Sequence, residues 1–145
     1  MRKKAIRAKP FIATREHHLK EAAEDYTELI ADLIESVGEA RVCEVARHLG
    51  VSHVTALRTV QRLQKEGYVT TANQRPIKLT AKGKKLASFS KKRHEILLNF
   101  LLSIGVPEET AVIDVEGMEH HVSKETLEAM ERKLYRLSFE NEFDS

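Results

Sequence analysis

Apolar residues along the first half of the chain recur at intervals of three and four, the period of a helix with one buried face. From about Glu16 to Val37 they are Ala22, Tyr26, Leu29, Ile30, Leu33, Ile34 and Val37, and Gly38 stands where a helix C-terminal cap belongs. Ala40–Leu49 reads as a short helix with Val42, Val45, Ala46 and Leu49 inward. Gly50-Val51-Ser52 is a tight turn whose Ser52 can cap the next helix. That helix runs from His53 to about Glu66, with Ala56, Thr59, Val60 and Leu63 spaced to face a core. The pattern then becomes strand-like. Tyr68–Thr71 and Ile77–Leu79 flank an Asn73-Gln74-Arg75-Pro76 turn. Helical spacing returns from Thr80 to about Ile104 and breaks at Gly105-Val106-Pro107. It resumes in two helices, roughly Pro107–His121 and Ser123–Phe139.

This order predicts a mainly α chain with a small β wing. Residues 21–88 form an N-terminal winged helix-turn-helix and residues 89–145 a helical domain. Residues 1–20 precede them as a basic, flexible arm, because Arg2, Lys3, Lys4, Arg7 and Lys9 surround Pro10 with little to bury.

Composition narrows the class. A chain of 145 residues, 41% hydrophobic and 32% charged, is that of an ordinary globular protein of one domain or two small ones. Cys43 is the single cysteine, so no disulfide framework is available, which fits a cytoplasmic protein. It reads as a small hydrophobe at the flank of its helix. No apolar run approaches the roughly 18 residues of a membrane span, and the basic N-terminus lacks a signal-peptide core.

The net charge of +2 conceals an asymmetry. Gly67 to His94 carries eight Lys or Arg and no acid, whereas Val106 to Ser145 carries eleven acids against four bases. The basic block falls where a wing would meet a polyanion. A recognition helix enters the major groove by its N-terminal residues. His53, Thr55 and Arg58 are therefore the residues expected at base edges, and Gln61 and Arg62 come next. Ser52 joins the DNA-binding set as the cap of that helix, and Arg75 and Lys78 on the wing are expected at the backbone. Double-stranded DNA is the partner this predicts.

A second constellation lies at Asp114-Val115-Glu116-Gly117-Met118-Glu119-His120-His121. On a helix, Glu116, Glu119 and His120 share one face, being three and four apart. Carboxylate oxygen and imidazole nitrogen suit Mn, Fe and Zn, so the three are a partial coordination sphere. Asp25 and Glu28, three apart on the first helix, and His94 qualify by type as partners. Taken singly, each is more often a solvated acid or a structural histidine, and spacing does not bring the helices together. A di-iron or di-manganese oxidase would need Glu-x-x-His pairs. Gly117 and Lys91 stand where those glutamates belong, so the chain is not expected to be an enzyme. A metal-independent winged-helix regulator is the other alternative.

Asp25-Tyr26-x-Glu28, Arg93-His94-Glu95 and Glu116-Gly117-Met118-Glu119-His120-His121, placed around the winged helix, resemble the manganese-responsive branch of the diphtheria toxin repressor family. The resemblance runs from about residue 22 to 139. It implies that Asp25, Glu28, His94, Glu116, Glu119 and His120 hold two metal ions between the DNA-binding domain and a dimerisation domain. It implies, too, a homodimer acting as a metal-activated repressor on a palindromic operator. In iron-responsive relatives the positions of Glu116 and Asp25 are cysteine and methionine. Carboxylates at both favour Mn(II), with Fe(II) and other divalent ions as alternatives.

Overall fold

The computed structural model describes the backbone of residues 2–143 and the side chains of residues 18–142. The chain divides into two compact units, Met1–Phe89 and Ser90–Ser145.

In the first unit, α1 (Arg2–Val37), α2 (Val42–Leu49) and α3 (His53–Lys65) are followed by strands β1 (Val69–Thr70) and β2 (Lys78–Leu79) and the start of α4 (Ala81–Ser103). Ala56, Val60 and Leu63 on α3 are fully buried and join Val45 and Ala46 of α2 and Tyr26, Ile30 and Leu33 of α1 in one core. The turn between α2 and α3 depends on Gly50, whose φ of +66° lies in the left-handed region that glycine enters without cost. The Gly50 and Val51 amides donate to the carbonyls of Arg47 and Ala46 and so close the end of α2. Ser52 then opens α3: its hydroxyl oxygen accepts from the Thr55 amide at 3.1 Å.

The wing is a minimal antiparallel ladder, Val69 opposite Leu79 and Thr70 opposite Lys78. An isolated bridge adds Ala40 opposite Ile77, with the Ile77 amide donating to the Ala40 carbonyl at 2.7 Å. Thr80 caps α4 by accepting from the Gly83 amide and donating to the Gly67 and Tyr68 carbonyls. Gly83 lies so close to β1 that a Cβ there would sit 2.0 Å from the Tyr68 carbonyl oxygen.

The second unit contains the rest of α4, α5 (Glu108–Met118) and α6 (Lys124–Phe143). Ile96, Leu97, Val115 and Leu127 form its small core, with Leu98, Leu101, Met118, Val122, Met130 and Leu134 packed around them. Much apolar surface stays outside that core: Ile113 is 70% and Tyr135 66% exposed.

Several expectations need correcting. The backbone of the basic segment before residue 20 is helical from Arg2, in keeping with the helix propensities of Ala, Arg and Lys. Its side chains as far as residue 17 lie outside the described residues. Ala40 does not begin α2, because the bridge to Ile77 draws it into the sheet. Val37, expected inward, is 71% exposed at the end of α1. Finally, α5 ends at Met118 instead of continuing through His121.

Candidate DNA-reading face and metal centre

Of the six α3 and cap residues expected at DNA, five have exposed side chains. Ser52, His53, Thr55, Arg58 and Gln61 are exposed, as are Arg75 and Lys78 on the wing. Arg62 differs. It is half-buried, and its guanidinium lies 3.5 Å from the Glu66 carboxylate one turn on, so it is less available than Arg58. Val54 was not among the expected residues, yet it is 57% exposed in the first turn of α3. Its signal was present in the sequence: it is an apolar residue off the 56/60/63 core register. An apolar side chain there can meet a thymine methyl group.

A groove between α3 and the wing turn is bordered by His53, Gln61 and Gln64 on one side and Asn73 and Arg75 on the other. Arg41 lies at its edge. Its Nε donates to Glu39 Oε1 at 2.9 Å, and the hydrogen bond and charge of Glu39 hold the Arg41 guanidinium above its ordinary pKa. Both side chains are solvent-exposed, so little stability follows from the pair.

In the second unit three of the expected metal-binding residues converge. Glu119 caps the end of α5 and keeps its helical bond, the Glu119 amide donating to Val115 at 2.9 Å. The turn then tightens, with the His121 amide donating to the Met118 carbonyl three residues back. Glycine at 117 weakens helix continuation by about 1 kcal/mol relative to alanine, which suits an ending here. His120 is thus set on a tight turn at the end of the helix. Glu119 is buried and its two oxygens are divided between two imidazoles. Oε2 lies 3.0 Å from His94 Nδ1 on α4, and Oε1 lies 3.4 Å from His120 Nε2.

Each of these distances, taken singly, is one that two neighbouring ligands of a divalent ion can adopt. Adjacent ligands of an octahedral ion with bonds of about 2.1 Å stand roughly 3 Å apart. The donors are one carboxylate and two imidazoles, with no thiolate, a set that accommodates Mn(II), Fe(II) or Zn(II). Glu116 is exposed and lies outside this trio. Asp25 and Glu28 stand three apart on α1, in the first unit.

A winged helix-turn-helix followed by a helical unit with an imidazole–carboxylate cluster defines a class: a DNA-binding regulator with a place for a metal. Comparison with known proteins agrees. Residues 18–77 match the iron dependent repressor N-terminal DNA binding domain, and residues 80–142 match the metal binding and dimerisation domain of the same repressors. The chain is 50% identical to the transcriptional regulator MntR of Escherichia coli O6:H1 over 119 residues, 82% of this chain and 77% of that protein. It is 46% identical over 100 residues to the HTH-type transcriptional regulator MntR of Bacillus subtilis, 69% of this chain and 70% of that one. A solved manganese-dependent transcriptional repressor in complex with manganese superposes with a TM-score of 0.69 at 28% identity. That match covers 77% of this chain but only 52% of the solved one, so the chain spans about half the length of that structure. The chain belongs to the diphtheria toxin (iron-dependent) repressor family and is an MntR-like, metal-dependent, DNA-binding transcriptional repressor. It is not an enzyme, and its partners are DNA and a second copy of itself. No helix among the described residues is long and apolar enough to cross a membrane.

Proposed function

We propose that this chain is a Mn(II)-activated repressor of manganese uptake genes, acting in the cytoplasm as a homodimer on a palindromic operator. The observation that carries the metal part is the convergence of His94 and His120 on the buried carboxylate of Glu119. Asp25 and Glu28 on α1 and Glu116 on α5 complete a set of six oxygen and nitrogen ligands for two ions per subunit. When bound, the ions supply a cross-link between ligands of the two domains and cancel acidic charge that would repel DNA.

Regulation then follows from linkage. Ligands drawn from two domains are satisfied together in only one relative arrangement of those domains. Binding favours that arrangement by the difference in its affinity for the two states. In a dimer this sets the separation of two α3 helices to about one DNA turn or a multiple of it. His53, Thr55 and Arg58, the latter with Gln61 a turn away, face base edges. Arg75 and Lys78 hold the backbone, and Ser52 fixes the start of the reading helix. Exposed Ile113 and Tyr135 give the second unit an apolar surface for its partner copy.

Manganese preference rests on Asp25 and Glu116, two carboxylates where iron-responsive relatives carry sulfur ligands. Mn(II) sits low in the affinity order and prefers hard oxygen donors. Isothermal titration with Mn(II), Fe(II), Zn(II) and Co(II) checks this. Two Mn(II) ions per chain are expected, and Glu116→Cys should shift preference toward the softer metals. Unchanged metal preference in Glu116→Cys would remove the basis for assigning manganese.

A further inference from the structure

We infer that Arg41, steadied by Glu39, is a positioning residue that holds the wing tip so that Arg75 meets the DNA backbone in register with α3. The inference rests on the proposed phosphate contact of Arg75.

The wing needs such a holder. Its two strands pair over two residues each, too short a ladder to fix the turn beyond them. That turn contains Gln74, the one described non-glycine residue with positive φ, at 60°. A left-handed glutamine is unfavourable unless its surroundings hold it. Two groups do. The Arg75 amide donates to the Ala72 carbonyl at 3.1 Å, closing the turn from within. Arg41 Nη1 donates to the Gln74 carbonyl at 3.1 Å, reaching across 33 residues of sequence from the start of α2. One residue earlier, the Ala40 carbonyl accepts from the Ile77 amide, so residues 40 and 41 both hold the wing on the turn side of its two-pair ladder. Glu39 engages the Nε side of the same guanidinium, leaving Nη1 aimed at the wing. A planar fork serves two acceptors in fixed directions, which a lysine ammonium does not reproduce. Exposed ion pairs add little to stability, so the effect belongs to loop order rather than to folding.

Operator binding by the full-length protein in Mn(II), with hydroxyl-radical footprinting, tests this. Arg75→Ala in the parent should lower the slope of affinity against salt by about 1, the signature of one lost phosphate contact. Arg41→Lys keeps the charge and should nevertheless weaken binding about 3- to 10-fold, the scale of one such contact. Its thermal midpoint should match the parent, while backbone protection at the wing is lost. Adding Arg75→Ala to Arg41→Lys should then cost little more. Glu39→Gln removes an acid from the DNA face, which by charge alone would tighten binding, yet it should loosen it.

Parental affinity and protection in Arg41→Lys would overturn the positioning role while leaving the Arg75 contact standing. Additive losses, or tighter binding by Glu39→Gln, would also overturn it, making Arg41 a phosphate contact in its own right. If Arg75→Ala changes nothing, both the contact and the inference fall.

Discussion

The two units of this chain treat their apolar residues in opposite ways. In the first, α1, α2, α3 and the wing close around a core in which Ile30, Val45, Ala56, Val60 and Leu63 are fully buried. In the second, only Leu97 and Val115 of the core cluster are fully buried, and large apolar side chains remain at the surface of α5 and α6. The polar chemistry divides in the same way. The first unit presents exposed Ser52, His53, Thr55 and Arg58 on a finished scaffold, whereas the second buries Glu119 between two imidazoles. One region is complete as a reading head. The other leaves large apolar side chains open at its surface beside a carboxylate–imidazole cluster.

The contrast can be broken most severely at Leu63. Leu63→Ala empties a fully buried site in a closed core and should cost about 2–5 kcal/mol. Denaturant unfolding followed by signals from the first unit should show that loss at every protein concentration. A loss that vanishes at high concentration would mean this core, too, is completed by a partner.

Next in size is the metal step. His94→Ala and Glu28→Ala should each abolish the metal-driven rise in operator affinity, a coupling of about 1–3 kcal/mol in typical allosteric systems. Their affinity in EDTA should remain that of the parent. Gel-shift titrations with and without Mn(II) measure both quantities, and a parental metal response in either variant removes that residue from the site.

Ile113→Lys addresses the open surface. A charge at a residue 70% exposed in the single chain should leave the fold intact but weaken dimerisation by about tenfold or more if that surface is the interface. Sedimentation equilibrium decides; an unchanged dimer places the interface elsewhere. The smallest effect is expected from Val54→Ala, about 1 kcal/mol of operator affinity from lost apolar contact. Its loss should be confined to operators with a thymine at one position, so a uniform loss across sequences would rule out methyl readout.

What could be read from the sequence follows the same division. The helix-turn-helix was legible because its core register, 56, 60 and 63, is strict and its turn chemistry local: Gly50 supplies the left-handed φ and Ser52 the cap. Periodicity also grouped Glu116, Glu119 and His120 on one helical face, whereas Glu116 is exposed and lies outside the cluster that Glu119 and His120 join. It did not show that α5 stops at Met118, because Gly117 lowers helix propensity without naming an end. Nor could it bring His94 to Glu119, a pairing 25 residues apart that only the packing of the second unit provides. Ala40 was misplaced for a similar reason: its bridge to Ile77 is a long-range contact that outweighs its local helix preference. Burial of Thr27 inside α1 was likewise invisible. Its hydroxyl satisfies itself on the Ala23 carbonyl at 2.8 Å, so a polar residue can occupy a core position.

The central claim is that metal binding and DNA reading are coupled. Operator affinity of the purified protein, measured by fluorescence anisotropy in EDTA and again in saturating Mn(II) at constant ionic strength, tests it most directly. Mn(II) should tighten binding by about 5- to 150-fold, the range of typical allosteric coupling. Equal affinity in the two buffers would contradict the account.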